Sequence, residues 1–266
     1  MSPLWRDEVA IYLAPRKLAL ARRLKGLKPR IGASTEIVVP DGGADPAATL
    51  QRLADVLREP AWQQAAARVV VSDAWVRFGI VPAVPARLDA DAREAHARCV
   101  LADTYGEMLR EWRIALEEAP PGRAAVVCAM PGALRAQIET ALAPASLQLR
   151  SIQPQLAVAF NAWRGRLPAD DAWFVKLEEG WLSAVHLAHG GWDRVHTARL
   201  SRDAGLDLER MQAFGRLGAD GRMFIEAPAW MRERYGRMNT NLEWLEADGG
   251  DPGPTHEISL LLRAQG

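Results

Sequence analysis

The chain has 266 residues, which is enough for one large or two modest domains with a sizeable core. Its 33 basic and 33 acidic residues cancel to a formal net charge of +0 at pH 7. No overall field therefore draws it to nucleic acid or to an anionic membrane surface. Two cysteines, Cys99 and Cys128, are too few for a disulfide framework. We expect both to be small buried hydrophobic residues in a reducing compartment.

The N-terminal residues 1–7 lack the basic and apolar regions of a signal peptide. No uninterrupted apolar run approaches the ~20 residues that a membrane-spanning helix needs. We therefore expect a cytoplasmic protein without direct membrane insertion, recruited to the inner membrane only through a partner.

One pattern of strand, tight turn and strand occurs twice. The first copy has apolar strands at 9–13 and 18–21 around a turn at 14–16. The second has strands at 173–177 and 182–187 around 178–180, and a third strand at 195–198. Hairpins repeated in this way predict two similar α/β lobes around a cleft.

The first copy continues with a predicted linker at 28–35, which contains Pro29 and Gly32, and a short strand at 36–39. Apolar residues recur with helical spacing over 50–57, and either Asp45 or Thr49 is expected to cap that helix. The run 69–71 and the stretch from Trp75 to Pro82 indicate two strands or one long bent strand.

The middle of the chain alternates helices and strands. The predicted helices cover 89–105, 133–142 and about 154–163, where Pro154 suits a first helical turn. Strands are predicted at 112–116, 124–130 and 147–152, and the continuous apolar run 124–130 is typical of a buried strand. Loop 165–171 separates the two halves.

The second half is the shorter one. Its hairpin is followed by a predicted helix over about 207–217 and a strand at 223–226. A flexible linker is expected at 249–254 and a last strand at 256–262.

The segment 152–160, Ile-Gln-Pro-Gln-Leu-Ala-Val-Ala-Phe, resembles the first connecting helix of the actin-like ATPase superfamily. There a Glu-Pro pair opens a helix rich in small residues. Within that superfamily, the stretches 71–78, 105–113 and 153–163 are similar to PilM-type proteins of type IV pilus assembly. They are also similar to the cytoplasmic domain of the L component of type II secretion.

The resemblance implies duplicated actin-like (ribonuclease H-like) lobes around a cleft. The first lobe would cover 1–165, with a small inserted subdomain at about 73–118. A truncated second lobe would cover 166–248, and 249–266 would be a linker and tail.

The nucleotide site of this superfamily uses acidic side chains to hold magnesium and glycine turns to hold phosphates. By resemblance, five positions of this chain correspond to it, and most are changed: Tyr12, Ala14, Gln153, Glu178 and Gly180. Tyr12 and Gln153 replace carboxylates and Ala14 replaces a glycine, whereas Glu178 and Gly180 keep an acid and a glycine. Trp181 follows where a small residue would admit phosphate.

The adenosine-binding glycine pair is replaced by residues 226–229, Glu-Ala-Pro-Ala. These changes predict a pseudo-ATPase with no expected cofactor, although binding of ATP and magnesium without hydrolysis stays open. A kinase that uses Glu178 as base is a third, disfavoured hypothesis.

Two other kinds of site were considered. His186, His189 and His196 surround one hairpin, but no cysteine or compact carboxylate pair beyond Asp193 completes a zinc site, so ordinary histidines are favoured. Trp75, Trp112, Trp163 and Trp230 stand beside arginines, a pairing found at protein–protein hot spots. Core packing is the favoured interpretation for them.

The resulting hypothesis is a non-catalytic actin-like scaffold. It would bind a cytoplasmic tail or domain of a membrane-embedded type IV pilus or type II secretion platform, in the cleft beside the inserted subdomain. The alternative is a degenerate nucleotide- or small-molecule-binding sensor of the same fold.

Overall fold

Thirteen strands form three sheets among the residues that the computed structural model describes, which are 7–26, 30–83, 88–120, 122–201, 207, 210, 213, 222–235, 242–246 and 258. The strands are β1 (Glu8–Ala14), β2 (Lys17–Leu24), β3 (Arg30–Val38), β4 (Ala66–Val71), β5 (Arg77–Val81), β6 (Arg113–Leu116), β7 (Ala125–Met130), β8 (Gln148–Pro154), β9 (Ala172–Glu178), β10 (Trp181–Ala188), β11 (Gly191–Arg199), β12 (Arg222–Glu226) and β13 (Leu242–Trp244). The longer helices are α1 (Ala47–Val56), α2 (Ala90–Tyr105), α3 (Leu134–Leu142), α4 (Gln155–Trp163) and α5 (Ala229–Tyr235).

The chain divides into two compact units that interleave in sequence. The first contains Met1–Trp75, Ala133–Ala162 and Gly249–Gly266. The second contains Val76–Gly132 and Trp163–Asp248. The three-stranded sheet within the middle of the sequence therefore groups with the second half of the chain.

The first unit is built on a five-stranded sheet in the order β3-β2-β1-β4-β8. The pairs β1–β2 and β2–β3 are antiparallel, and the pairs β1–β4 and β4–β8 are parallel. Strand β1 is central and every one of its residues is buried, which accounts for its nearly continuous apolar sequence.

The predicted linker at 28–35 is wrong over residues 30–35, because these form most of the nine-residue strand β3. The pairing of β3 with β2 shifts by one residue between Arg22 and Arg23, so that Gly32 is the extra residue of a β-bulge. A Cβ at Gly32 would lie 2.8 Å from the Leu24 side chain. The glycine therefore marks an irregularity inside a strand rather than a loop.

Helix α1 buries the predicted apolar positions, including Leu50, Leu53 and Val56. Its N-cap residue is Pro46, which makes no side-chain capping bond. The two residues predicted to cap it act differently. Asp45 Oδ1 accepts a hydrogen bond from the Ala47 N–H at 2.9 Å, and the Thr49 hydroxyl donates to a carbonyl of the neighbouring hairpin turn.

The second unit repeats the same sheet. Its strand order is β11-β10-β9-β12-β13, with three antiparallel strands followed by two parallel ones. The duplication predicted from the hairpins is thus confirmed strand by strand. Strand β13 has three residues against seven in β8. The predicted helix 207–217 falls largely outside the described residues, of which Asp207, Arg210 and Ala213 are helical.

A smaller sheet in the order β5-β7-β6 packs against α2, which buries Ala97 and Leu101 on it. Strands β4 and β5 are separate strands in different sheets, with a 3-10 helix at Asp73–Trp75 between them. The small sheet extends to Met130, whereas the inserted subdomain was predicted to end near residue 118. Strand β7 is only partly buried, which corrects the expectation of a fully buried strand, because α2 covers one face of this sheet.

The prediction that both cysteines are buried is wrong: Cys99 is exposed on α2 and Cys128 is half-buried on β7. The buried face of α2 is narrow, since only Ala97 and Leu101 are enclosed, and Cys99 falls outside it.

The predicted linker 249–254 lies outside the described residues. In the predicted last strand 256–262, the one described residue, Ile258, is helical and buried. Among the described helices, none combines the length and apolar character that spanning a membrane requires.

Candidate functional site

The hairpin turn of the first unit follows Tyr12 and Ala14 at the end of β1. Tyr12 is 4% exposed and Ala14 pairs with Lys17 across a two-residue turn of Pro15 and Arg16. Tyr12 offers a phenol rather than a carboxylate, and Pro15 has no N–H to offer a phosphate. This turn therefore supplies neither a magnesium ligand nor the amide donors of a phosphate loop.

The carbonyl groups of the same turn are used inside the unit. The Thr49 hydroxyl donates to the Ala14 carbonyl at 3.1 Å, and the Val39 N–H donates to the Arg16 carbonyl at 2.8 Å. Gly42 approaches so closely that a Cβ there would lie 1.4 Å from the Pro15 carbonyl oxygen. Loop 39–43 and helix α1 are thus seated directly on the turn, in contact with its carbonyl oxygens. The side chains and backbone groups of this turn therefore do not fit the binding of magnesium and phosphate.

Gln153 lies in the same row of the sheet as Tyr12. In the register, Tyr12 pairs with Val70 and Val70 pairs with Gln153. Two strand spacings, about 10 Å in total, separate them. The register therefore places Tyr12 and Gln153 in one row, near the carboxyl ends of β1 and β8. Pro154 is the last residue of β8, and α4 begins at Gln155, one residue later than predicted.

A buried carboxylate at the start of α4 is a feature that the sequence analysis does not predict. Asp73 is 0% exposed, and its Oδ1 accepts a hydrogen bond from the Leu156 N–H at 3.1 Å. Leu156 is the second residue of α4, so Asp73 caps the connecting helix from a segment 83 residues away in sequence. The acid that lies beside this helix start comes from the 3-10 helix after β4, and it accepts a hydrogen bond from the backbone of α4.

The turn of the second unit contains a buried acid and a glycine. Glu178 ends β9 and is 4% exposed. Gly180 has a φ of +76°, and an added Cβ would meet no atom within 4 Å. The left-handed backbone at Gly180 explains why a glycine stands at this tight turn.

Trp181, the residue after this turn, forms part of an aromatic cage around Arg77. The Arg77 guanidinium carbon lies 5.5 Å from the Trp181 ring centroid, 5.7 Å from Trp112 and 5.9 Å from Tyr105. These are distances at which a guanidinium is attracted to the face of an aromatic ring. The large side chain at 181 therefore has an intramolecular role, which is to pack against the small sheet.

Arg77 and Tyr105 are also held in the cage by hydrogen bonds to backbone carbonyl groups. Arg77 donates to the Val76 carbonyl at 2.8 Å, and Tyr105 donates to the Phe78 carbonyl at 3.0 Å. Burial lowers the pKa of Arg77 below its ordinary value, and the nearby charge of Arg199 lowers it further, whereas Tyr105 raises it. Arg77 is thus a partly buried positive charge within the second unit.

Glu226, the first residue of the segment 226–229, also makes a structural contact. Strand β12 pairs Glu226 with Lys176 of β9, and the two side chains form an ion pair of 2.7 Å with 2% and 1% exposure. The Lys176 ammonium also donates to the Leu177 carbonyl at 3.1 Å. Two residues further on, the Pro228 carbonyl accepts from the Met231 N–H at the start of α5.

The three histidines do not converge on one point. His186 is 6% exposed, with Nδ1 donating to Asp193 at 3.1 Å and Nε2 lying 3.5 Å from Asp171. His196 is on β11 opposite Ala184, and His189 is in the turn after β10. Burial alone would raise the pKa of Asp193, but hydrogen bonds from His186 and Arg194 lower it overall. No group of three metal-binding side chains occurs among the described residues.

The four tryptophans next to arginines occupy different environments. Trp75 and Trp163 are buried, and Trp112 is half-buried in the cage. Trp75 Nε1 donates to the Gly43 carbonyl, and Arg166 stacks on Trp163 at 5.1 Å. Trp230 is 49% exposed on α5. Core packing therefore describes Trp75 and Trp163.

The degenerate positions are divided between the units: Tyr12, Ala14 and Gln153 belong to the first, and Glu178 and Gly180 to the second.

Sequence reasoning missed Asp73, the Arg77 cage and the Lys176–Glu226 pair. One local signal was available, since Lys176 interrupts the otherwise apolar strand Trp-Phe-Val-Lys-Leu. A charge in such a strand requires a buried partner.

No protein-family model matches the chain. No curated protein matches its sequence either. Its likeness to known proteins is therefore structural.

Three solved structures illustrate that likeness. One is a PilM-PilN type IV pilus biogenesis complex, with a TM-score of 0.59 and 18% identity over 90% of this chain and 88% of the matched chain. Another is the cytoplasmic domain of EpsL, an inner-membrane component of the Vibrio cholerae type II secretion system, with a TM-score of 0.59 and 12% identity over 97% and 94%. A Bacteroides thetaiotaomicron protein of unknown function with an actin-like ATPase fold gives a TM-score of 0.61 and 8% identity over 98% of both chains.

These comparisons establish the fold. The chain has an actin-like ATPase fold with duplicated lobes, and the predicted resemblance to PilM and to the EpsL cytoplasmic domain is confirmed at the level of structure. At sequence identities of 18% and below, these comparisons show the fold alone.

Proposed function

We propose that this chain is a non-catalytic actin-like scaffold that binds a cytoplasmic segment of an inner-membrane type IV pilus or type II secretion protein. The proposal includes a location on the cytoplasmic side of the membrane, reached through that partner. It requires no cofactor. The single observation that carries it is the closed first turn, where Thr49, Val39 and Gly42 contact the backbone that would hold phosphate.

The second unit supports the loss of catalysis independently. Trp181 packs against Arg77, and Glu226 is paired with Lys176 at the position of the adenosine glycines. Each replacement has its own stabilising contact, which would have to be broken before a nucleotide could bind there. Together these contacts favour a pseudo-ATPase.

The structural comparisons support the choice of partner class. One neighbour is a complex of PilM with PilN, and another is the cytoplasmic domain of an inner-membrane secretion component. Both neighbours match at TM-scores of 0.59 over at least 88% of their own chains. An assembly role next to a membrane is therefore our proposal for this chain too.

A degenerate nucleotide- or small-molecule-binding sensor is the second candidate. It is favoured by one observation, the acid Glu178 beside the open left-handed turn at Gly180. This pair retains the chemistry of one half of a nucleotide site. The first turn does not supply the other half.

The scaffold proposal is tested by direct binding. Labelled peptides covering the cytoplasmic segments of the membrane proteins encoded beside this chain's gene would be titrated with the purified full chain and followed by fluorescence anisotropy. We expect one segment to bind saturably and its scrambled version not to bind. Failure of every segment to bind at high micromolar chain concentration would contradict the proposal.

A further inference from the structure

Strand β3 is a long, exposed edge of the first sheet. It has nine residues and no buried position, and among the described strands only β2 pairs with it. Ile31 and Val38, near its two ends, are 41% and 70% exposed, two of the most exposed large hydrophobic side chains described. An edge of this length presents backbone hydrogen-bonding groups to any extended chain that reaches it.

The register of the β2–β3 ladder identifies the backbone groups that point outward. The Val39 N–H donates to the Arg16 carbonyl, next to the pair Lys17 and Val38. Because antiparallel ladders alternate between bonded and non-bonded pairs, Val38 and Ser34 direct their N–H and C=O groups away from β2. An incoming strand would bond to these groups.

Strand β3 is less protected against strand addition than the other edges of the two five-stranded sheets. Strand β8 ends in a proline, Pro154, and β13 has three residues. Strand β11 carries Asp193 and Arg194. In β3 the stretch from Ile31 to Thr35 contains neither a charged residue nor a proline, and charges and prolines are the usual means of blocking edge pairing.

Charge distinguishes the two ends of this edge. At the Val38 end, Glu36 is neutralised by Lys17 of β2 at 3.1 Å. At the other end, Arg30 and Lys25 are exposed. Arg22 in the same region is already bonded to Asp7. A peptide on this edge would therefore meet a neutral, apolar half and a basic end.

We infer that β3 is the docking site for an extended partner peptide, which adds to the sheet as a sixth, antiparallel strand. Its residues opposite Ala33–Val38 are β-branched or apolar, and its C-terminal end carries acidic residues that lie against Arg30 and Lys25. Strand addition of this kind obtains affinity from backbone bonds and specificity from alternate side chains and charges. The inference deepens the proposed function and depends on it for the identity of the partner.

The edge is tested with a defined probe, the fluorescein-labelled peptide Val-Thr-Val-Thr-Val-Thr-Val-Glu-Glu. We expect saturable binding to the full chain, seen by anisotropy. In Ser34→Pro the outward N–H is lost and the bonds to β2 are kept, so affinity is expected to fall about tenfold or more. Circular dichroism and the melting temperature would check that this variant is folded.

A second pair of variants tests the charge. Arg30→Glu is expected to weaken binding about fivefold, because it repels the acidic end of the probe. Arg150→Glu, on the opposite edge strand β8 of the same sheet, is the matched control and is expected to leave affinity within about twofold. Equal effects of the two substitutions would overturn the assignment of β3.

A chemical variant of the probe keeps the test independent of protein folding. N-methylation of alternate backbone amides along the bonding edge of the peptide removes donors without changing side chains. Loss of binding by this peptide supports strand addition, and unchanged binding overturns it.

The unliganded chain would also be tested for dimerisation. If it forms a dimer that Ser34→Pro abolishes, a second copy occupies the edge, and this result would also overturn the peptide proposal.

The outcome is separable from that of the proposed function. A native cytoplasmic segment that binds the wild-type chain and Ser34→Pro equally would overturn docking on β3 and leave the scaffold proposal standing. Binding of the probe together with failure of all native segments would support the edge and contradict the scaffold.

Discussion

Lys176 and Glu226 place two opposite charges in the interior of the second unit, each at most 2% exposed. Each loses its hydration there, so removing either one would leave the other as an uncompensated buried charge. The pair joins the neighbouring parallel strands β9 and β12. It is therefore a structural contact within the core of the second unit.

Removing one partner of this pair should be strongly destabilising. We expect Lys176→Met to lower the free energy of unfolding by about 3–5 kcal/mol, because Glu226 would remain buried without its counter-charge. Replacing both residues with methionine should recover much of the loss. Urea denaturation of the three proteins measures the effect.

The exposed pair Arg222 and Glu243 provides the control, since its side chains are 59% and 55% exposed. Glu243→Gln should change stability by less than about 1 kcal/mol. If Lys176→Met were no more destabilising than Glu243→Gln, the buried pair would not have the role assigned to it.

At the scale of elements, the Arg77 cage joins four of them within the second unit. Arg77 begins β5, Tyr105 ends α2, Trp112 precedes β6 and Trp181 begins β10. Phe78 and Trp192 add a tilted ring contact, with centroids 6.2 Å apart, between β5 and β11. These contacts explain why the small sheet groups with the second half of the chain.

The stability of the cage should depend on the planar shape of the Arg77 guanidinium as well as on its charge. We expect Arg77→Met to lower the free energy of unfolding by about 1–2 kcal/mol through loss of the cation–π contacts. Arg77→Lys should have an intermediate effect, because an ammonium cannot stack as a planar group does.

Arg222 is the matched control for this prediction as well. Its guanidinium lies 5.0 Å from the Phe224 ring but is largely exposed, so Arg222→Gln should have a small effect in the same denaturation assay. Equal losses for Arg77→Met and Arg222→Gln would argue against a special role of the cage.

At the scale of the whole molecule, local signals predicted the duplicated architecture well. Both hairpins join apolar strands through tight turns, so β1, β2, β9 and β10 could be placed from pattern alone. Helix α2 matches the predicted helix 89–105 to within one residue, since Asp89 is its N-cap and Gly106 its C-cap. Such features depend on residues near one another in sequence.

Features that depend on distant residues could not be predicted in this way. Gly32 was interpreted as part of a linker because its bulge is defined only by pairing with β2. The bond from Leu156 to Asp73 spans 83 residues, and the cage brings together positions from 77 to 181. Periodicity within one window carries no information about such contacts, although they determine the chemistry of the degenerate positions.

The central claim is that the altered turns no longer bind nucleotide, and calorimetric titration of the full chain with MgATP tests it most directly. An actin-like ATPase with intact carboxylates would be the positive control, and a parallel thermal-shift measurement would be made. The account predicts no binding heat and no shift. Saturable binding, with the stabilisation of ~2.7 kcal/mol expected at a hundred times the Kd, would contradict it and favour the sensor.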